Sequence, residues 1–362
     1  MRRAAISINR KEWAERVKPH IASELEVDRV EGVARGSENV RTERSLLLCR
    51  SFISIFLLLI VISRVDLDTV LNLSRRTDLL LFTLVLLLVF VDRFLMAYKW
   101  NLLTEVRGIR VSVWESFKIY LISNLFGVFL PTSIGGEIYR IYYTSKREGQ
   151  TEKIAASVLL ERFVGMVANA TFAFFGLILL VRAYPEPFFG GSAPLIIFGL
   201  LVLSLLGFWL SVQEISVTRS EHLLSRWRTR WFIKKLLDCQ RAYVAYRQHK
   251  GTLVAFFFLS VIEQSFFPIA NYFGSRAISL DIELIYFIGI IPICVFLMRL
   301  PISINAIGVQ EGLYIFFFSR LGLSVSEAFS LALLVRLAHW LIMLLGGILY
   351  LSEKAITKRP RV

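Results

Sequence analysis

Three features of the chain predict an all-α fold, a polytopic membrane helix bundle with two inverted-topology halves. They are its apolarity, a duplicated motif and the distribution of its loop charges. Hydrophobic residues make up 56% of the 362 positions and Phe alone numbers 29, and apolar runs of about 20 residues recur from Ser45 to Leu351. Two polar interruptions in this apolar sequence read alike. The first is Leu130-Pro131-Thr132-Ser133-Ile134-Gly135-Gly136-Glu137-Ile138-Tyr139. The second is Leu300-Pro301-Ile302-Ser303-Ile304, four extra residues (Asn305 to Gly308), then Val309-Gln310-Glu311-Gly312-Leu313-Tyr314. Each precedes an apolar run that carries an arginine, at one offset for both residue types (311 − 137 = 174 and 336 − 162 = 174). A duplicated Pro/Gly-broken segment bearing a glutamate, inside membrane-embedded sequence, points to a transporter made of two related halves.

In chain order, residues 1–44 form a tail that mixes Arg/Lys with Asp/Glu and has no apolar h-region, so it is not a signal peptide. Full spans are predicted at Ser45–Ser63, Leu79–Ala97, Ile154–Val181, Ala193–Val212, Thr252–Phe273 and Ala328–Leu351. Phe117–Leu130 makes only about 21 Å of helix, short of a hydrocarbon core of about 30 Å. It ends at Pro131 and Gly135-Gly136, after which Glu137–Thr144 can run back. Leu284–Leu300 carries Pro292, breaks again over Pro301–Gly308, and is followed by Val309–Ser319. The domain organisation is therefore a charged cytoplasmic tail (1–44), a transmembrane domain (45–351) with an inner amphipathic loop (213–250), and a short cytoplasmic tail (352–362).

Loop charge orients these segments. With the first tail inside, the first two spans return Lys99, Arg107 and Arg110 to the inner face. If Phe117–Thr144 enters and returns, Lys146, Arg147 and Lys153 stay there too. Gln213–Lys250, with nine Arg/Lys against three acids, then also lies inside, as do Lys354, Lys358, Arg359 and Arg361. A lone crossing at Phe117–Leu130 would put the nine-base loop outside. Parity does not separate a re-entrant hairpin from a pair of true crossings. With three full spans per half, the second half is inverted relative to the first. The net charge of +14 thus reads as orientation and headgroup contact rather than nucleic-acid binding. In the inner loop, Trp227, Trp231, Leu224, Leu237, Tyr243 and Tyr246 interleave with Arg226, Arg228, Arg230, Lys234 and Lys235, the pattern of a helix lying at the headgroup level.

Ionisable residues inside a bilayer each cost at least about 2.5–3.5 kcal/mol near its centre, so their presence needs a reason. Glu137, Arg140, Glu161, Arg162, Glu263, Arg299, Glu311, Arg336 and His339 lie within or beside apolar segments. One reading is ion pairing that fastens the halves: Glu161 or Glu137 against Arg162, and Glu311 against Arg336. The other is that Arg140, Arg162 and Arg336 hold a lipid phosphate while Glu137, Glu161 and Glu311 balance charge or carry a proton. Gly135, Gly136 and Gly308, with Ser133, Ser303 and Asn305, would supply close backbone approach and polar groups at the breaks. Gly165, Asn169, Ala173 and Gly176 form a packing stripe, and Gly346-Gly347 reads likewise. Asp92-Arg93 and Lys99-Trp100 are expected to anchor the inner end of the second span. Cys49, Cys239 and Cys294 are scattered, and the four histidines form no ligand pattern, so neither a metal nor a cofactor is expected.

The segments Pro131-x-x-x-Gly135-Gly136-Glu137-x-x-Arg140, Glu161-Arg162, and Pro301-x-Ser303-x-x-x-x-Gly308-x-x-Glu311-Gly312 resemble the lysylphosphatidylglycerol synthase transmembrane family, often labelled flippase-like. The resemblance covers roughly Leu46–Leu351. It implies a membrane region that translocates lipids with charged headgroups, which some members fuse to a cytoplasmic aminoacyl-transferring domain. Eleven residues follow Leu351 here, so the expectation is a transport module and not an enzyme. The expected partners are membrane lipids with charged headgroups, an anionic or zwitterionic phospholipid or an isoprenoid-linked lipid, in the cell membrane. Two alternatives are a scaffold for lipid- or glycan-building enzymes, docked through the tail, and a lipid-linked glycosyltransferase. The second would need an acidic metal site, for which Asp66-Leu67-Asp68 is the one short match.

Overall fold

The computed structural model describes residues 51–129, 135–183, 193–211, 213, 231–299 and 303–357. The chain divides into two compact units between Ile53 and Ser54. The first is described only over 51–53, so the architecture below is that of Ser54–Val362. Among the described residues there is no strand. The described residues form twelve α-helices: α1 (Ser51–Ile62), α2 (Leu67–Arg75), α3 (Leu79–Glu105), α4 (Val113–Phe129), α5 (Gly135–Glu148), α6 (Thr151–Ala183), α7 (Ala193–Ser211), α8 (Trp231–Val244), α9 (Lys250–Ala277), α10 (Leu284–Met298), α11 (Val309–Phe318) and α12 (Val325–Thr357).

Four helices are long and apolar enough to cross a bilayer, at Leu79–Glu105, Thr151–Ala183, Lys250–Ala277 and Val325–Ser352. Each outruns its sequence-predicted span at both ends or at the C-terminal end. Over their described residues α1 and α7 are apolar but shorter. Local chemistry sets the helix starts. Asp78 caps α3 by accepting from the Leu80 and Leu81 amides at 2.8 and 3.1 Å, and Asp66 caps α2 through the Asp68 and Thr69 amides. The Thr69 hydroxyl and these amides hold the Asp66 carboxyl below its usual range. The Asp66-Leu67-Asp68 triplet is thus a helix cap. Large apolar side chains stay uncovered along the helices, among them Leu80 (79%), Leu195 (72%) and Ile348 (64%). Apolar surface on that scale is stable only against lipid.

The broken regions are hairpins with short arms. In the first, Gly136 lies against the Ser123 carbonyl and the Gly127 amide, Phe126 stacks on Tyr139 at 4.4 Å, and Glu115 at the open end pairs with Arg147. Contacts that join the start of α4 to the end of α5 require the chain to turn back. At 17 and 14 residues the arms reach about 26 and 21 Å, so the hairpin re-enters rather than crossing twice. In the second, Phe287 near the start of α10 meets Phe318 at the end of α11, 5.2 Å apart, the same return with arms of 15 and 10 residues.

The packing repeats under exchange of halves. Contacts of α3 with α4, α5 with α6, α4 with α12, α9 with α6 and α8 with α6 have counterparts in α9 with α10, α11 with α12, α10 with α6, α3 with α12 and α2 with α12. The most extensive contact, α3 with α9, is its own counterpart. These two equivalent helices run antiparallel: Asp78 donates to the Ala277 carbonyl, Lys99 reaches Ser260, and Tyr246, just before α9, donates to Leu103. A two-fold that superimposes antiparallel helices is perpendicular to them, so the halves are inverted. Their close crossings also match. A Cβ on Gly176 would collide with the Ile288 carbonyl oxygen of α10, and a Cβ on Gly346 with the Leu121 carbonyl oxygen of α4. Pro292 lacks the N–H that would bond the Ile288 carbonyl, and Asn169 donates to the Pro292 carbonyl at 3.3 Å. The packing stripe read from sequence holds here, except that Gly165 faces open space.

The inner loop departs from its sequence reading. Over its described part it is helical, but Tyr243 and Tyr246 are buried rather than interfacial. Tyr246 is packed with Leu103, Leu160, Val164 and Phe256, Arg107 covers its ring at 5.3 Å, and burial pushes its phenol above the usual range. The aromatic–basic alternation that marks a headgroup-level helix marks one docked onto the bundle equally well.

The crossings give a direct test. Gly176→Ala and Gly346→Ala should each destabilise the detergent-solubilised protein by about 1–3 kcal/mol through overpacking, whereas Gly165→Ala should be neutral or stabilising. Thermal unfolding of the three variants in one detergent reads the difference.

Candidate functional site

The second break is closed by a single arginine. Gly308 opens α11 at φ 79°, a conformation open to glycine, with its Cα against Leu57. Its amide donates to Glu311 Oε2 at 2.8 Å, so Glu311 caps the helix it belongs to. Glu311 Oε1 accepts from Arg336 Nε of α12 at 2.7 Å. The other two guanidinium nitrogens donate to the Asn305 and Ala306 carbonyls, each at 3.2 Å. Both of those residues have positive φ, 50° and 54°, and the arginine holds them there. Neighbouring ties complete the fastening: Ile304 N–H to Ser54 at 2.8 Å, and Tyr314 O–H to Asn271 of α9 at 2.7 Å. Arg336 and Glu311 are 6% and 3% exposed. Arg336 spends every nitrogen inside the protein, which leaves no face for a headgroup.

The first break carries the same pair in a different setting. Arg162 of α6 donates to Glu137 in the first turn of α5, at the same separation of 25 residues as Arg336 and Glu311. Here the side chains are 41% and 27% exposed. A second pair lies beneath it. Arg140 meets Glu161 at 2.6 Å, Tyr120 donates to the other Glu161 oxygen at 2.7 Å, and the guanidinium sits over the rings of Tyr120 and Trp100 at 4.6 and 4.9 Å. Arg140 is 3% exposed, and its Nε and Nη1 find no hydrogen-bond partner. Glu137 and Arg140, three residues apart on α5, thus reach adjacent residues of α6. Of the two partners open to Arg162 in the sequence, the geometry selects Glu137.

The remaining sequence-derived positions fall as follows. Gly135 and Gly136 are buried at the start of α5, where Gly136 permits the close approach of α4. Asn305 contributes its carbonyl and is exposed. Ser303 has a buried hydroxyl without a partner. Ser133 lies outside the described residues.

Glu137 and Glu311 each pair within their own half, so the two breaks do not share one niche through these glutamates. The halves are joined instead by charges that sequence reading set aside. Lys99 is no anchor at a helix end: α3 continues to Glu105, Lys99 is 2% exposed, and it pairs with Glu263 of α9 at 3.1 Å while donating to Ser260. Asp92 is likewise buried, paired with Arg93 at 2.9 Å. Arg299 closes α10 and lies within electrostatic reach of Glu263 and Arg162. His339 of α12 lies within reach of Arg93 and Arg336. The available signal was the spacing of Asp92 and Lys99, seven apart on one face of an apolar helix. Among the described residues no group of three His, Cys, Asp or Glu could hold a metal.

Compared with known families, residues 47–347 match the Lysylphosphatidylglycerol synthase TM region. No curated protein and no solved structure matches the chain significantly.

The two breaks predict opposite sensitivities. Arg336→Ala strands a buried carboxylate and two carbonyls and should cost about 3–5 kcal/mol. Arg162→Ala removes a half-exposed pair and should cost about 1 kcal/mol or less. Unfolding of both variants in the same detergent, monitored by helical circular dichroism, checks the order.

Proposed function

We propose that this chain, which belongs to the lysylphosphatidylglycerol synthase transmembrane family, is a lipid translocator that moves an anionic or zwitterionic lipid between leaflets. One observation carries the reading: the first break leaves its ion pair accessible, Arg162 and Glu137 being 41% and 27% exposed, whereas the equivalent Arg336–Glu311 pair is buried. Arg162 is paired with Glu137, and Arg299 lies in the combined field of Glu263 and Arg162. A phosphodiester competes with Glu137 for the accessible guanidinium, because its oxygens suit the planar fork.

The roles divide by break. The Arg336–Glu311 side keeps the second hairpin rigid and gives the moving half something fixed to work against. The Arg162–Glu137 side holds the headgroup, and Glu137 takes the guanidinium back when the lipid leaves. Arg140 and Glu161 brace this side from below, with two guanidinium nitrogens of Arg140 left for a ligand or water. Lipid tails stay in the bilayer along the exposed apolar faces, so only the headgroup needs a polar path. Inverted halves exchange access by rocking about their shared axis. No covalent step is needed. By loop charge we place both termini and the Gln213–Lys250 loop on the cytoplasmic side of the cell membrane.

The measurement is flipping of a fluorescent phosphatidylglycerol analogue in reconstituted vesicles, read by its accessibility to an impermeant quencher. Arg162→Ala and Arg299→Ala should each slow translocation about 10- to 100-fold, the scale of one lost charge-assisted hydrogen bond or ion pair. Glu137→Gln should alter the rate by less. Unchanged flipping in the folded double variant Arg162→Ala/Arg299→Ala would remove the headgroup site.

A further inference from the structure

We infer that Asp92 and Glu263 form a proton-binding carboxyl pair on the axis between the two halves. The role of this proton in driving transport rests on the translocator reading above; the binding site itself does not. Asp92 is the fourteenth residue of the 27 in α3, and Glu263 the fourteenth of the 28 in α9. The offset between them equals that between the two helix starts (263 − 92 = 171 and 250 − 79 = 171). They are counterparts under the internal two-fold and lie at one level of the antiparallel α3–α9 contact, each fourteen residues in from the end at which the Asp78 amide meets the Ala277 carbonyl.

Each carboxyl already has its own cation. Asp92 Oδ2 lies 2.9 Å from Arg93 Nη2. Glu263 Oε2 lies 3.1 Å from Lys99 Nζ and accepts from Gln264 Nε2 at 2.8 Å. Each keeps one oxygen outside these pairs, Asp92 Oδ1 and Glu263 Oε1, free to share a proton across the contact. Ionised carboxyl groups only accept hydrogen bonds, so a bond between these two exists only when one of them carries a proton. In a buried site, two like charges in contact favour that shared-proton state.

The surrounding groups are basic on balance. Arg93 and Lys99 face the pair from α3. Arg299 at the end of α10 reaches Glu263. Tyr120 of α4 and His339 of α12 reach Arg93. From α6, Glu161 and Arg162 engage Tyr120, Arg140, Glu137 and Arg299 instead. Loss of the proton therefore leaves each carboxylate with a counter-charge, which makes release feasible. It also sets two negative charges against each other at the centre of the contact about which inverted halves rock, with Lys99 of α3 still holding Glu263 of α9. Proton uptake closes the axis and release loosens it.

Infrared difference spectra of the purified full-length chain, acidified against neutral, test the site without any lipid assay. The wild type should show the carbonyl stretch of a protonated carboxyl. Asp92→Asn and Glu263→Gln should each abolish that band, because either carboxyl left alone beside its own cation ionises. Asp92→Glu and Glu263→Asp should keep it, which separates loss of the proton from loss of the fold. A band unchanged in both amide variants, or lost in only one, overturns the shared pair. In vesicles, a one-unit pH gradient should let the wild type build up to about a tenfold leaflet ratio of the lipid analogue, and both amide variants should only equilibrate it. Gradient-independent flipping by the wild type overturns the coupling but not the site, whereas no flipping by the wild type under any condition counts against the translocator reading alone.

Discussion

Charge inside a bilayer has to arrive with its counter-charge, and broken helices there have to find partners for their loose backbone groups. One device meets both demands in each half of this protein. A glutamate in the first turn of the returning helix binds an arginine 25 residues further on, in the long helix that follows. The glutamate favours the positive end of its own helix, and the arginine brings a rigid fork of donors. At the second break the fork has three acceptors, one carboxylate and two carbonyls from residues with positive φ. Without it, the turn from Ser303 to Gly308 would combine strained backbone with unpaired carbonyls at a depth where water is scarce. The hairpins, and with them the inverted architecture, depend on this pair.

Duplication gives two copies of one device, and the four residues Asn305–Gly308 make them differ. The longer second break folds its extra carbonyls onto Arg336 and seals it. At the shorter first break, Arg162 pairs with Glu137 and stays 41% exposed. Symmetry therefore explains why both arginines exist, and its violation explains why one can face a ligand while the other cannot. The sealed copy is costly to disturb because a buried pair that loses one member leaves an uncompensated charge. The open copy is nearly free to change partner because exposed pairs contribute little.

Much of this was legible in the sequence, for a physical reason: periodic or repeated patterns survive without coordinates. The 174-residue offset pointed to both arginine–glutamate pairs, with Glu161 left open beside Glu137, and small residues found the crossings, Gly176 by four-residue spacing and Gly346 by the Gly346-Gly347 pair. Wherever the outcome depends on what a side chain meets, pattern was not enough. Asp92 and Lys99 read as helix-end anchors because the apolar run fades near Ala97, yet the helix persists to Glu105 and carries both residues into the contact with α9. Tyr243 and Tyr246 read as interfacial because aromatic–basic alternation is shared by helices on lipid and helices on protein. Asp66 and Asp68 matched a metal motif, and the first of them caps a helix. Arg336 was grouped with Arg162 because their sequence contexts match, and the carbonyls of Asn305 and Ala306 on its guanidinium became visible only in the fold.

The placement of Asp92 and Glu263 follows from the same logic taken to the axis itself. In an inverted repeat, most residues meet a non-equivalent neighbour, so a favourable pair in one half says nothing about contacts within the other. On the two-fold, a residue meets its own counterpart. A carboxylate repeated at that position faces a carboxylate, as Asp92 and Glu263 do across α3 and α9. Such a contact persists in low dielectric only with a proton or a cation between the two groups, or with separate cations on their outer sides. Arg93 and Lys99 supply the outer cations, both from α3, so the two halves no longer contribute equally. The axis thus has two charge states, one with the shared proton and one without. A contact with that property is where a bundle of otherwise locked helices can be moved by a small change in charge.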